Sequence, residues 1–134
     1  MKKMIMLVVA LMLAGCAASQ SGLRLNDLRT QAYSRTERTV PFTSFAPIQM
    51  ALFKHQAACG GDITFTANPR NASYAIVSSH KPPTADWRHT IAIELSLMEF
   101  GPVRAHAYSY GAGTEAQIQQ MFSAMVHPEV CVKK

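Results

Sequence analysis

These 134 residues lack most of the patterns that announce an enzyme. There is no Gly-x-Ser-x-Gly turn to present a nucleophilic serine and no Cys-x-x-Cys pair for redox exchange. The five histidines (His55, His80, His89, His106 and His127) stand singly rather than at His-x-x-x-His spacing. No metal and no cofactor is therefore indicated. Asp86, Glu94 and Glu99 are the acids near the mid-chain loop, too sparse to read as a paired-carboxylate site. Charge is scarce as well, at 16% of residues, and it alternates in sign, so no nucleic-acid partner is indicated. The longest apolar run, Met4 to Ala14, has eleven residues. As a helix it would rise about 16 Å, roughly half of a ~30 Å hydrocarbon core, which argues against a membrane span.

That short run is nevertheless informative. Lys2 and Lys3 precede it and Leu13-Ala14-Gly15-Cys16 closes it. A basic start, an apolar middle and small residues at a cut site make an export signal. Leu-Ala-Gly-Cys resembles the lipobox of bacterial lipoproteins, and the resemblance covers the leader alone. It implies a signal peptide over residues 1–15, a mature chain beginning at Cys16, and acylation of that cysteine. Several acyl chains on one residue hold a protein stably where a single chain is marginal. Ala17 is not the aspartate that often retains lipoproteins in the inner membrane of Gram-negative bacteria. The resemblance thus implies an outer-membrane anchor facing the periplasm. A plain export leader with an incidental cysteine is the alternative.

The leader holds two of the thirteen basic residues and none of the eight acidic ones, so the mature charge is about +3. With Cys16 committed to lipid, Cys59 and Cys131 remain as an even pair in an oxidising compartment, and a Cys59–Cys131 disulfide is expected. Residues 16–36 begin Ala-Ala-Ser-Gln-Ser-Gly after the cysteine and read as a flexible tether. Leu23, Leu25 and Leu28 within it could form a short strand or helical turn against the domain.

Residues 37–134 read as a single α+β domain. Residues 37–45 are β-prone, but Pro41 demotes them to an edge strand or a loop. A helix is expected over 46–58, with Ser44 as N-cap, Pro47 in its first turn and Gly60-Gly61 as its stop. Alternation predicts strands over 62–67, 74–78, 89–100 and 103–110. Ile118, Met121, Phe122, Met125 and Val126 recur at helical spacing behind Thr114 and Gln117, which fit a capping box. Pro128 ends that helix, and the preceding Gly111-Ala112-Gly113 reads as a hinge turn. The expected architecture is two-layer: an antiparallel four-stranded sheet covered on one face by two helices.

The uncovered face depends on the Gly101-Pro102 turn. A two-residue loop sets Leu97 opposite His106 and Leu95 opposite Tyr108, and pairs Glu99 with Arg104. A three-residue loop turns Arg104, His106, Tyr108 and Tyr110 to the other face, opposite Met98, Ser96 and Glu94. The first is the expectation, because it gives a mostly apolar core face. The second would expose an aromatic and basic stripe of the kind enriched at protein interfaces. Trp87, the only tryptophan, follows Pro82-Pro83 and is flanked by Asp86 and Arg88. It reads either as a lid over the sheet edge or, with Arg88, as an exposed anchor for a protein partner. The candidate partner-binding residues are Trp87, Arg88, Arg104, His106, Tyr108 and Tyr110.

The function expected from these features is that of an accessory lipoprotein. It would act by protein–protein binding in envelope assembly, maintenance or secretion, and would not be an enzyme. The alternative is a ligand-binding or enzymatic lipoprotein acting on peptidoglycan or lipid. That alternative requires a deep pocket lined by His80, Asp86 or His106.

Overall fold

A computed structural model describes residues 22–132; the leader and Cys16 lie outside the described residues. The chain runs α1 (Leu25–Leu28), a 3₁₀ turn (Gln31–Tyr33), β1 (Ser34–Val40), α2 (Ala46–Cys59), β2 (Thr64–Ala67), β3 (Tyr74–Ser78), β4 (Ala92–Ser96), β5 (Val103–Tyr108) and α3 (Glu115–Val126). The strands form one open antiparallel sheet in the order β1-β5-β4-β3-β2. The α+β class and the antiparallel sheet agree with the sequence. The count does not: among the described residues the sheet has five strands rather than four, and there are three α-helices rather than two.

The added strand is β1. Its sequence, Ser-Arg-Thr-Glu-Arg-Thr-Val, is polar on both faces, so alternation in hydrophobicity cannot reveal it. It is recruited by pairing with β5 and by its one buried apolar end, Val40. Arg38 supplies cover elsewhere: its guanidinium lies 4.1 Å from the Phe122 ring and donates to Gln119 Oε1 at 3.1 Å. Pro41 stands just past the strand, where its missing N–H costs the ladder nothing.

α2 and α3 share one face of the sheet. Ile48 and Leu52 from α2, and Ile118, Met121, Phe122 and Met125 from α3, join Val77, Ile93, Leu95, Val103, Ala105 and Ala107 in a single core. Fully burying a side chain the size of Leu95 or Ile93 contributes about 2 kcal/mol by area alone. Gly60 ends α2 at φ +75°, a conformation glycine adopts without strain. Neither helix is capped as expected. Phe45, not Ser44, occupies the N-cap of α2 and makes no side-chain cap bond. Thr114 has near-helical torsions, and its hydroxyl bonds back to Ser109 Oγ at 2.9 Å and Gly111 O at 3.2 Å.

The Cys59–Cys131 disulfide is formed, with a Cα–Cα distance of 5.2 Å across 72 residues of sequence. It fastens the end of α2 to the tail after α3. His55 Nδ1 lies 3.0 Å from Pro128 O at the same junction.

From Gly22 onward the residues grouped with the tether pack onto the opposite sheet face. Leu28 is wholly buried with Trp87 and Ala92, and Leu23, Leu25, Tyr33, Ile76 and Tyr108 close around them. The Trp87 N–H donates to Leu23 O at 2.8 Å, and the Leu23 N–H to Asp86 Oδ1 at 3.2 Å. Gly22 is needed here: at φ +98°, a Cβ would stand 2.6 Å from Ala85 O.

Candidate binding face of the sheet

The register of β5 decides what the second face presents. Val103, Ala105 and Ala107 point into the core, so Arg104, His106 and Tyr108 point away from it. Their partners in β4 are Ser96, Glu94 and Ala92. This overturns the expected two-residue loop, in which Leu97 faced His106 and Leu95 faced Tyr108. The stripe turns to the face that the three-residue loop would give, although the pairings are shifted again. β4 stops at Ser96, and residues 97–102 form the connection. Phe100, in that connection, is 89% exposed; the apolar end of the predicted strand has nothing to bury against.

His106 is the centre of the face. It stands between Glu37 of β1 and Glu94 of β4. Its Nε2 lies 2.6 Å from Ser34 Oγ, its Nδ1 lies 3.1 Å from the Tyr108 hydroxyl, and its ring stacks on Tyr108 at 4.2 Å. A neutral ring satisfies both contacts, accepting from Tyr108 at Nδ1 and donating to Ser34 from Nε2. Glu37 Oε2 approaches Nδ1 to 3.8 Å, and Glu37 Oε1 lies 3.5 Å from Arg104 Nε.

Arg29, carried in after α1, stands 2.8 Å from the half-buried Glu94 carboxylate. The angle there is not that of a hydrogen bond, so charge rather than directed bonding compensates this oxygen. Burial, reinforced by the Glu94 charge, pushes the Tyr108 hydroxyl above its ordinary range, which keeps it a donor. Beside Glu94 an open groove of about 560 Å³ runs past Leu25, Tyr74 and Ile76 to the Asn68-Pro69 turn.

The other candidates have different places. Trp87 is 6% exposed, so it is not the exposed anchor, and it packs with Leu28 against the inner strands rather than as a lid over the sheet edge; burial beneath Leu23 and Leu28 takes its ring out of reach of a partner. Arg88 is exposed but engaged in a two-pronged pair with Asp86 at 2.8 to 3.0 Å. That side-chain pairing, helped by the backbone N–H groups of Arg88 and Leu23, holds the Asp86 carboxyl well below the usual carboxylate range. The pair clamps the N-terminal segment. Tyr110 packs its ring 5.4 Å from Tyr33 at the margin of the face, where Arg35 donates to Ser109 O and Tyr110 O.

Of the three residues expected at a pocket, His80 lines an open groove of about 590 Å³ beside β2, and Asp86 and His106 are not among its lining residues. His80 pairs with Asp62 at 3.7 Å, Asp86 with Arg88, and His106 with Ser34. Among the described residues no group of three His, Cys, Asp or Glu side chains is placed to hold a metal ion.

Sequence reasoning missed Ser34, Glu37 and Arg29, because all three enter the face through β1 and the segment before it. The Glu-Arg-Thr-Val-Pro run was the available signal. A hydroxyl bonded to an imidazole is the start of a nucleophilic site. Here, however, the charged groups flanking His106 across the strands are carboxylates, which would oppose a developing oxyanion. The face presents a stacked aromatic pair beside an exposed Arg104, rimmed by Glu37 and Thr39. No family model, curated protein or solved structure matches the chain.

Proposed function

We propose that this chain is a lipid-anchored, periplasm-facing accessory lipoprotein. It is held at the outer membrane through Cys16 and acts by binding a protein partner in envelope assembly, maintenance or secretion. The observation that supports the binding role is the stripe on β5. Arg104, His106 and Tyr108 share one sheet face, Arg104 is exposed, and the N-terminal segment covers Ala92 beside Tyr108 while Arg104 stays open. Arginine and tyrosine are the side chains on which interface energy tends to concentrate. The Leu-Ala-Gly-Cys leader supports the anchor. No helix of the described residues is long and apolar enough to cross a membrane.

Two arms test this reading on the full chain produced in a Gram-negative host. Growth with a palmitate analogue labels the protein and leaves it in the outer-membrane fraction, and Cys16→Ser loses both label and membrane. Mild crosslinking before purification recovers one envelope protein in fixed ratio, and Arg104→Glu loses it. Label retained by Cys16→Ser overturns the anchor. Glycan or lipid recovered in place of a protein, insensitive to Arg104→Glu, overturns the binding role.

A further inference from the structure

The groove beside Glu94 is walled by groups whose bonding capacity is unspent. Glu94 sits on β4, in the middle of the sheet, with 26% of its side chain exposed. Its Oε2 is buried without a hydrogen bond, and Arg29 Nε faces that atom at 2.8 Å. Among the described residues, neither the Glu94 carboxylate nor the Arg29 guanidinium is hydrogen-bonded to any other group. An ion pair drawn partly out of water gains little unless its remaining lone pairs and protons are bonded. Here both partners line an open groove of about 560 Å³, a size within the range of small-ligand sites.

The rest of the lining narrows what would fit. Ala75 and Val77 enter the helix-side core, so Tyr74 and Ile76 stand on this face. Tyr74 is 42% exposed, and Ile76 with Leu25 adds an apolar patch. At the β2–β3 turn, Asn68 Oδ1 accepts from the Arg70 and Asn71 N–H groups at 2.8 and 3.1 Å. Asn71 Oδ1 accepts from the Ser73 N–H at 3.0 Å. Those bonds fix both side-chain amides and leave their NH₂ groups as donors on the groove.

A ligand matched to this wall donates to Glu94, accepts from Arg29 and the asparagine amides, and offers apolar surface to Tyr74, Leu25 and Ile76. The charges of Glu94 and Arg29 cancel, which favours a neutral molecule. An acetamido group on a sugar ring has that combination. Its N–H donates, its C=O accepts and its methyl is apolar, while the C–H face of the ring matches an aromatic side chain. A peptide also carries amides, but β3 and β4 are interior strands. Their backbone groups are spent on neighbours at both sides, so no ladder is open to a peptide on this floor.

We infer that this groove is a binding site for a neutral N-acetylated saccharide. Glu94 accepts from the acetamido N–H, Arg29 donates to its carbonyl, and Tyr74 packs against the ring. The inference rests on the groove and not on the proposed function. In the row across the strands Ser96 separates Tyr74 from Arg104, so the β5 stripe stays available to a protein.

The test titrates the full chain, solubilised in a detergent without a sugar headgroup, with a chitin tetrasaccharide in a calorimeter. The unsubstituted chain binds it with a Kd of about 0.1–1 mM, as suits a shallow open groove. A cellulose tetrasaccharide, which lacks the acetamido groups, binds at least about tenfold more weakly, because the Glu94 charge goes unpaired. Glu94→Gln weakens binding of the chitin probe about tenfold by the same loss. Tyr74→Ala does so too, with its melting temperature unchanged, because the ring is half-exposed. Arg104→Glu binds as the unsubstituted chain does. Absence of saturable binding at about 10 mM chitin probe overturns the inference. Equal affinity for the cellulose probe, or full affinity in Tyr74→Ala, overturns it as well. Displacement of the chitin probe by an equal concentration of an N-acetylated tetrapeptide amide assigns the groove to peptides and also overturns it.

Discussion

The two faces of the sheet are built from alternate residues of the same strands, yet they are finished by different means. On the helix side, Ile93, Leu95, Val103, Ala105 and Ala107 disappear under two helices, and the disulfide bolts those helices together beyond the sheet. On the other side, Glu94, His106 and Tyr108 stand half-covered and Arg104 is exposed. The cover is a four-residue helix, α1, and one tryptophan, held by Asp86, Gly22 and one backbone bond to Leu23. The buried core and the polar face are thus separated by a single backbone parity. A residue's role on β4 or β5 follows from whether its number is odd or even.

Unlocking the helix side should cost most. Replacing Cys59 and Cys131 together by serine opens the 72-residue span and lowers stability by about 4 kcal/mol in urea unfolding. Parity is tested one residue at a time. Leu95→Ala, from a fully buried site, costs about 3 kcal/mol, whereas Ser96→Ala on the other face stays within about 0.5 kcal/mol. Trp87→Ala costs about 3 kcal/mol, at the low end for a buried tryptophan because the short segment over it can collapse. It should also speed amide exchange at Leu28 while leaving Leu95 protected, a selectivity that a shared core would not show.

The Asp86 clamp has a pH signature. Its folded carboxyl titrates below its unfolded value, so its stabilising effect is full above the ordinary carboxylate range near pH 4. The effect is lost as acid protonates the folded state. The melting-temperature gap between the unsubstituted chain and Arg88→Gln should hold at neutral pH and close as pH falls below that range. Arg104→Ala should have the smallest effect on folding, within about 0.5 kcal/mol, since Arg104 is exposed and its one partner, Glu37, is 3.5 Å away.

Most of this contrast was legible in the chain. Ile91, Ile93 and Leu95 announced a strand, and the spacing of Ile118, Met121, Phe122 and Met125 announced a helix; both are buried as that periodicity requires. The even cysteine pair announced the bridge. The face of β5 was misread because the expectation followed an assumed two-residue loop, although Val-Arg-Ala-His-Ala-Tyr itself alternates apolar and polar in the pattern that is buried and exposed. Gly101-Pro102 signalled a turn but not that the turn begins at Leu97. β1 was seen in part: residues 37–45 read as an edge strand or a loop, and its start at Ser34 was grouped with the tether. A strand with charge on both faces looks like surface loop until β5 offers it a ladder.

The most direct test of the account places a photo-crosslinking amino acid at position 104 or at position 120 of the full chain in living Gram-negative cells. Arg104 lies on the open sheet face and Gln120 on the solvent side of α3. The account predicts one discrete adduct with an envelope protein from position 104, and none from position 120. An adduct from position 120 alone, or the same adduct from both, would contradict the assignment of recognition to the polar face of the sheet.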